Sequence, residues 1–153
     1  MVSTTKKRPF SVWALTFLML FLGIAAVISG PMFFLAPDGS LIGMSTSLLA
    51  GSPFSDYLVP GIILFLFVGI FPLIVGIGLI KTSWKGLEFL NPRKHHHWAW
   101  MFSVVAGLVL LIWIGTETIM LGYISFLQPL MGVWGALILV LTSLPGVRRY
   151  YAA

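Results

Sequence analysis

Long apolar stretches alternate with short polar ones along this chain, over about residues 12–34, 58–80, 98–121 and 129–144. At about 1.5 Å per residue the first makes a helix about 34 Å long, enough for a hydrocarbon core of about 30 Å. A secretory signal carries an apolar run of at most about 15 residues, so 12–34 is expected to remain as a signal anchor and first helix. The pattern predicts an all-α, polytopic membrane protein, with residues 1–153 as one integral membrane domain folded into a four-transmembrane-helix bundle.

Prolines and glycines punctuate these stretches. Pro60 and Gly61 suit the start of the second helix, whereas Pro72 lies deep inside it, removes a helix hydrogen bond and predicts a kink. Pro129 fits a first helical turn, and Pro145 with Gly146 is expected to close the last helix. The short link between the third and fourth stretches predicts an antiparallel helical hairpin. Residues 37–57 read differently, with Pro37, Asp38 and Gly39 as a turn and then Leu41, Ile42, Met44, Leu48 and Leu49 among Ser, Thr and Gly. Such a segment is expected to form an apolar outer loop or a short interfacial helix capping the bundle, with Leu48 and Leu49 dipping inward.

Charge fixes the expected orientation. The basic residues form three clusters: Lys6, Lys7 and Arg8; Lys81, Lys85, Arg93 and Lys94; Arg148 and Arg149. Basic residues are retained on the cytoplasmic side of short loops, so both termini and the central loop are expected inside, in a plasma membrane. The 59% hydrophobic and 8% charged residues exclude a water-soluble globule. The formal charge of +5 sits at helix ends facing lipid headgroups, with no basic stripe for nucleic acid. With Cys 0, disulfides and thiolate chemistry are excluded.

Lipid gives helices no hydrophobic reason to associate, so small residues mark the expected packing faces: Gly23 and Gly30, Gly69 and Gly76, Gly107, and Gly132 and Gly135. Heptad spacing places each of the first two pairs on one face of its helix.

Among ionisable residues Glu117 stands out, because it lies between Thr116 and Thr118 within the third apolar stretch. An ionisable group in a span is costly and points to function. Counting from Trp98 places Glu117 near the outer headgroup boundary, on the same side as Asp38 and Asp56. Together these three residues are a possible outer acidic site for a proton, a cation or an amine.

His95, His96 and His97 precede Trp98 and Trp100. Adjacent helical side chains point about 100° apart, so three consecutive His cannot converge on one metal, and an interfacial position beside Arg93 and Lys94 is expected. Haem or pigment ligation through His95–His97 is the lesser alternative. On the central loop, Glu88 is spaced three residues from Lys85, as for a helical surface pair.

No nucleophile and base share a side of the membrane, since the His lie inside and the Asp outside, and no phosphate loop or zinc motif occurs. The sequence therefore favours a small non-catalytic protein, without cofactor, acting as an accessory or structural subunit against other membrane protein subunits. The alternative is a homo-oligomeric transporter or channel component for a small cation or proton-coupled solute using Glu117.

Overall fold

The computed structural model describes residues 7–152; Lys6, part of the first basic cluster, lies outside them. Among the described residues the chain is helical without strands, and one isolated bridge joins His96 to Ala152. Helix α1 is Phe10–Phe34, α2 is Leu58–Ile80 and α3 is Trp98–Leu121. Each of these three is long and apolar enough to cross a membrane. Helix α4, Leu127–Ser143, and the short α5, Pro145–Tyr151, meet at a bend of 63° and count as a fourth span when taken together.

The bend corrects the expectation that Pro145 and Gly146 end the helical structure. Leu144 is extended, with ψ 136, as the residue before a proline prefers, and Pro145 then occupies the first turn of a new helix. Proline acts differently inside α2. Pro72 offers no N–H to the Val68 carbonyl, and the strain is absorbed just upstream, where Leu64–Ile70 widens into a π-helical stretch and the Phe71 N–H reaches back to the Leu66 carbonyl.

Helix α1 packs along α2 and α3 packs along α4, with lesser contacts joining α2 to α3 and α1 to α4. Glycines permit the two main seams. A Cβ on Gly23 would sit 2.6 Å from Leu73 Cγ and 2.9 Å from the Gly69 carbonyl oxygen. Gly30 likewise abuts Phe65, and Gly76 abuts Leu20. In the second seam a Cβ on Gly107 would sit 2.8 Å from Leu139 Cδ2, and one on Gly135 would sit 3.0 Å from Leu111. Gly132 is the exception among the expected packing glycines, because open space lies beside it. Three residues along the helix turn it about 60° away from Gly135, off the seam.

The basic end of the molecule is tied together across its elements. Arg8 Nε donates to the Tyr150 hydroxyl at 2.9 Å, and another Arg8 nitrogen donates to the Ile80 carbonyl. The Tyr151 hydroxyl donates to the Leu79 carbonyl at 2.8 Å, and the Trp100 indole to the Thr142 carbonyl at 2.9 Å. Trp98 is fully buried and donates to the Trp84 carbonyl at 2.7 Å. Glu88 does not act as the partner of Lys85 that its spacing suggests. Its carboxylate accepts from Asn91 Nδ2 at 2.8 Å and from the Trp98 backbone N–H at 3.3 Å. The open N–H groups of the first turn of α3 compete for it better than a solvated lysine.

At the opposite, acidic end, residues 35–57 cross the helix tips as a loop. It contains two short 3-10 turns, Ser40–Ile42 and Thr46–Gly51, in place of one interfacial helix. Leu49 turns inward and is buried, whereas Leu48 is exposed, because one residue along a turn points to another side. The Tyr57 hydroxyl fastens the loop by donating to the Ser45 carbonyl at 2.9 Å, and the Tyr57 N–H donates to the Pro37 carbonyl at 2.9 Å.

Candidate functional site

The two helical hairpins part at the acidic end. In the basic half, Trp134 of α4 donates its indole N–H to the Leu18 carbonyl of α1 at 3.1 Å and packs its ring on Phe21 at 5.2 Å. Beyond those contacts Ala25, Ala26 and Ser29 of α1 and Leu127, Gln128 and Met131 of α4 face a shared cavity of about 440 Å³. Small-molecule sites generally occupy about 300–1,000 Å³. Leu22, Val68 and Leu110 line it farther from the loop; Leu49, Phe54 and Tyr57 line it from the loop side. The π-helical stretch of α2 contributes Leu64 and Val68 to this wall, so the irregular backbone caused by Pro72 borders the cavity.

Glu117 is the only acidic residue on that wall. Its backbone belongs to the last two and a half turns of α3, where Trp113, Ile114, Thr116, Met120 and Leu121 also line the cavity. The Gln128 amide and the Trp113 indole lie beside its carboxyl. Gln128 is 3% exposed and lies in the first turn of α4, with its side chain bonded to the link from α3. Its Oε1 accepts from the Ile124 N–H at 2.8 Å and its Nε2 donates to the Gly122 carbonyl at 3.0 Å. An amide nitrogen has two hydrogens, so one remains for the carboxyl. No Lys or Arg occurs between Arg8 and Lys81 or between Lys94 and Arg148, so the chain places its positive charge at the other end of its helices.

The other two members of the expected outer acidic site are engaged in local structure. Asp38 is exposed and accepts from the Ser40 N–H at 3.0 Å and the Ser40 hydroxyl at 2.8 Å. Those two donors hold its carboxyl below the usual range. Asp56 accepts from the Leu58 N–H at 2.9 Å and so sits at the start of α2. Neither lines the cavity, which leaves a site with one carboxylate and one amide.

The three histidines separate as helical geometry requires. His95 is exposed, and His96 stacks on Trp100 with ring centroids 4.5 Å apart. His97 caps α3, its Nδ1 accepting from the Ala99 N–H at 3.3 Å while Nε2 faces the Trp84 carbonyl at 3.2 Å. That pairing corresponds to the tautomer protonated on Nε2. Burial lowers the pKa of His97, and burial together with Arg148 and Arg93 lowers that of His96. Among the described residues no three His, Asp or Glu side chains are grouped to hold a metal ion.

Sequence reasoning found Glu117 but not its neighbours. Gln128 is the only glutamine in the chain and stands beside a helix-starting proline, a signal that was present; Trp113 looked like any other apolar residue of its span. No family model matches this chain, and no curated protein or solved structure matches it either.

Proposed function

We propose that the chain is a small plasma-membrane protein with four crossings and both termini in the cytoplasm, working by binding rather than by catalysis, as an accessory subunit whose ligand occupies the acidic-end cavity. The cavity carries this reading. It is apolar, of small-molecule size, and furnished with one carboxyl beside a buried amide. Other candidate chemical groups are engaged in holding the fold: Glu88 and His97 cap α3, Asp56 starts α2 and His96 stacks on Trp100. The bent pair α4 and α5 supplies the fourth crossing, and the three basic clusters set the orientation.

A binding protein explains the closed basic half better than a conduit does. Leu15, Met19, Leu79 and Trp98 are fully buried there, beneath the Arg8, Trp100 and Tyr151 hydrogen bonds, so a path through the chain would have to break that core. The glycine seams are used within the chain. Contacts to other subunits therefore fall to exposed apolar faces such as Phe17, Ile24 and Ile28 of α1.

Native mass spectrometry of the protein extracted in mild detergent tests the reading. The expected species carries a bound small molecule, with or without partner chains in fixed stoichiometry. A lone chain with an empty cavity across several preparations overturns it. The orientation has its own test, since a cysteine replacing the exposed Ser45 is the only thiol in the chain. It is expected to react with an impermeant reagent in intact cells.

A further inference from the structure

We infer that the cavity takes a lipophilic monocation: an apolar body bearing one ammonium group, with the ammonium at Glu117 and the body against Leu22, Val68 and Leu110. This rests on the binding reading above and adds the chemistry of the ligand.

The cavity has a polar axis. Glu117, Gln128 and Ser52 lie toward the loop, and the wall farther in is made of Leu22, Ala26, Val68 and Leu110. A wholly apolar ligand would displace water from the carboxylate without replacing its hydrogen bonds, which is costly. An anion would meet like charge. A divalent ion would keep a shell of waters, and the apolar inner wall of Leu22, Ala26, Val68 and Leu110 offers those waters no hydrogen-bonding partners. An ammonium group satisfies the carboxylate by a charge-assisted hydrogen bond.

The protein's own charges leave that role open. No lysine or arginine lies on the stretches of chain that form the cavity, so an ionised Glu117 obtains its counter-charge from outside the chain. Gln128, fixed by Ile124 and Gly122, orients the carboxyl without neutralising it. The Trp113 indole beside the carboxyl adds an aromatic surface of the kind that attracts cations. Access is from the side, because Ala25, Thr116 and Leu127 on the cavity wall are exposed. A lipophilic body already dissolved in the bilayer meets that opening directly.

The test uses three probes with one apolar body: adamantylamine, adamantanol and adamantane carboxylate. Binding to the full chain in phosphatidylcholine nanodiscs is measured by equilibrium dialysis against empty nanodiscs. The amine is expected to bind more tightly than the alcohol by about tenfold or more, the increment of a charge-assisted bond, and the carboxylate not to bind. Glu117→Gln is expected to bring the amine down to the level of the alcohol and leave the alcohol unchanged. Ser29→Phe, which fills the wall, is expected to abolish both.

Equal binding of amine and alcohol to the unaltered protein overturns the monocation while leaving the cavity as a binding site. Failure of all three probes overturns the binding reading itself. Binding that survives Ser29→Phe places the probe elsewhere and overturns the assignment, as does an amine-headgroup lipid retained in the cavity that adamantylamine cannot displace. Should Glu117→Gln fail to fold, Glu117→Asp keeps the charge and is expected to retain the amine preference at reduced affinity; loss of the preference there also overturns it.

Discussion

The two ends of this molecule use their polar residues in opposite ways. At the basic end two indoles, the Tyr151 hydroxyl and Arg8 donate to backbone carbonyls of other elements, and the side chains between them are fully buried. At the acidic end the polar groups mostly bond within their own loop or turn, and the helices part around a cavity. Rigidity is concentrated at the basic end. Hydrogen bonds that cross between elements close the basic half, while local ones shape the acidic half without filling it.

The closed basic half depends most on Trp98, which is fully buried, packed against Gly78 and bonded to Trp84. Trp98→Ala is expected to cost roughly 3–5 kcal/mol in reversible unfolding in detergent. Gly23→Val comes next, at about 1–3 kcal/mol, because backbone as well as Leu73 stands against the new side chain. A neutral result there would mean that the α1–α2 seam is looser than its glycines require.

His97→Ala is expected to cost about 1 kcal/mol through loss of the α3 cap. The same side chain makes the stability of the basic end depend on pH. Burial holds the His97 pKa below its ordinary value, while the Trp84 carbonyl and Glu88 pull it back toward that value. The unfolded chain therefore binds a proton first as pH falls below about 6.5. Stability is full above that pH and is lost as pH falls through the folded-state pKa. His96 shifts in the same direction, so His96→Ala combined with His97→Ala is expected to flatten the acid decline of the thermal midpoint between about pH 7 and pH 5. The smallest effect is expected on the cavity wall, where Ser29→Ala should stay within about 0.5 kcal/mol of the parent. A loss there as large as that of Trp98→Ala would erase the distinction between the ends.

Much of the helical layout is legible in the apolar pattern. The bounds 58–80 and 98–121 coincide with α2 and α3, because Tyr57, Lys81, His97 and Gly122 interrupt the run on each side. The fourth helix was harder to read. Pro145 stops a helix and also starts one, and the choice depends on the tertiary site into which Tyr151 packs. The π-helical stretch shows in sequence only as Pro72, and within it Gly69 abuts Val27 while Val68 lines the cavity. Of the site, Glu117 was conspicuous because charge is rare in an apolar run. Its separation from Asp38 and Asp56 was not, since Asx bonds made inside a loop leave no periodic trace. Glu88 misled for a related reason: spacing along the chain pairs it with Lys85, and only the folded loop brings it to the start of α3.

The shortness of α4 carries a consequence for the membrane itself. Its 17 residues rise about 26 Å before the chain turns by 63°, whereas the 25 residues of α1 rise about 38 Å. A hydrocarbon core of about 30 Å cannot match both helices upright, so α1 is expected to tilt and the lipid beside α4 to thin. Mismatch of this kind sorts proteins among bilayers by thickness. The cavity opens between these same two helices, so a thicker membrane would pull on the walls of the opening. On the binding reading proposed above, the affinity of a cavity ligand is therefore expected to change with lipid chain length in nanodiscs of otherwise equal composition.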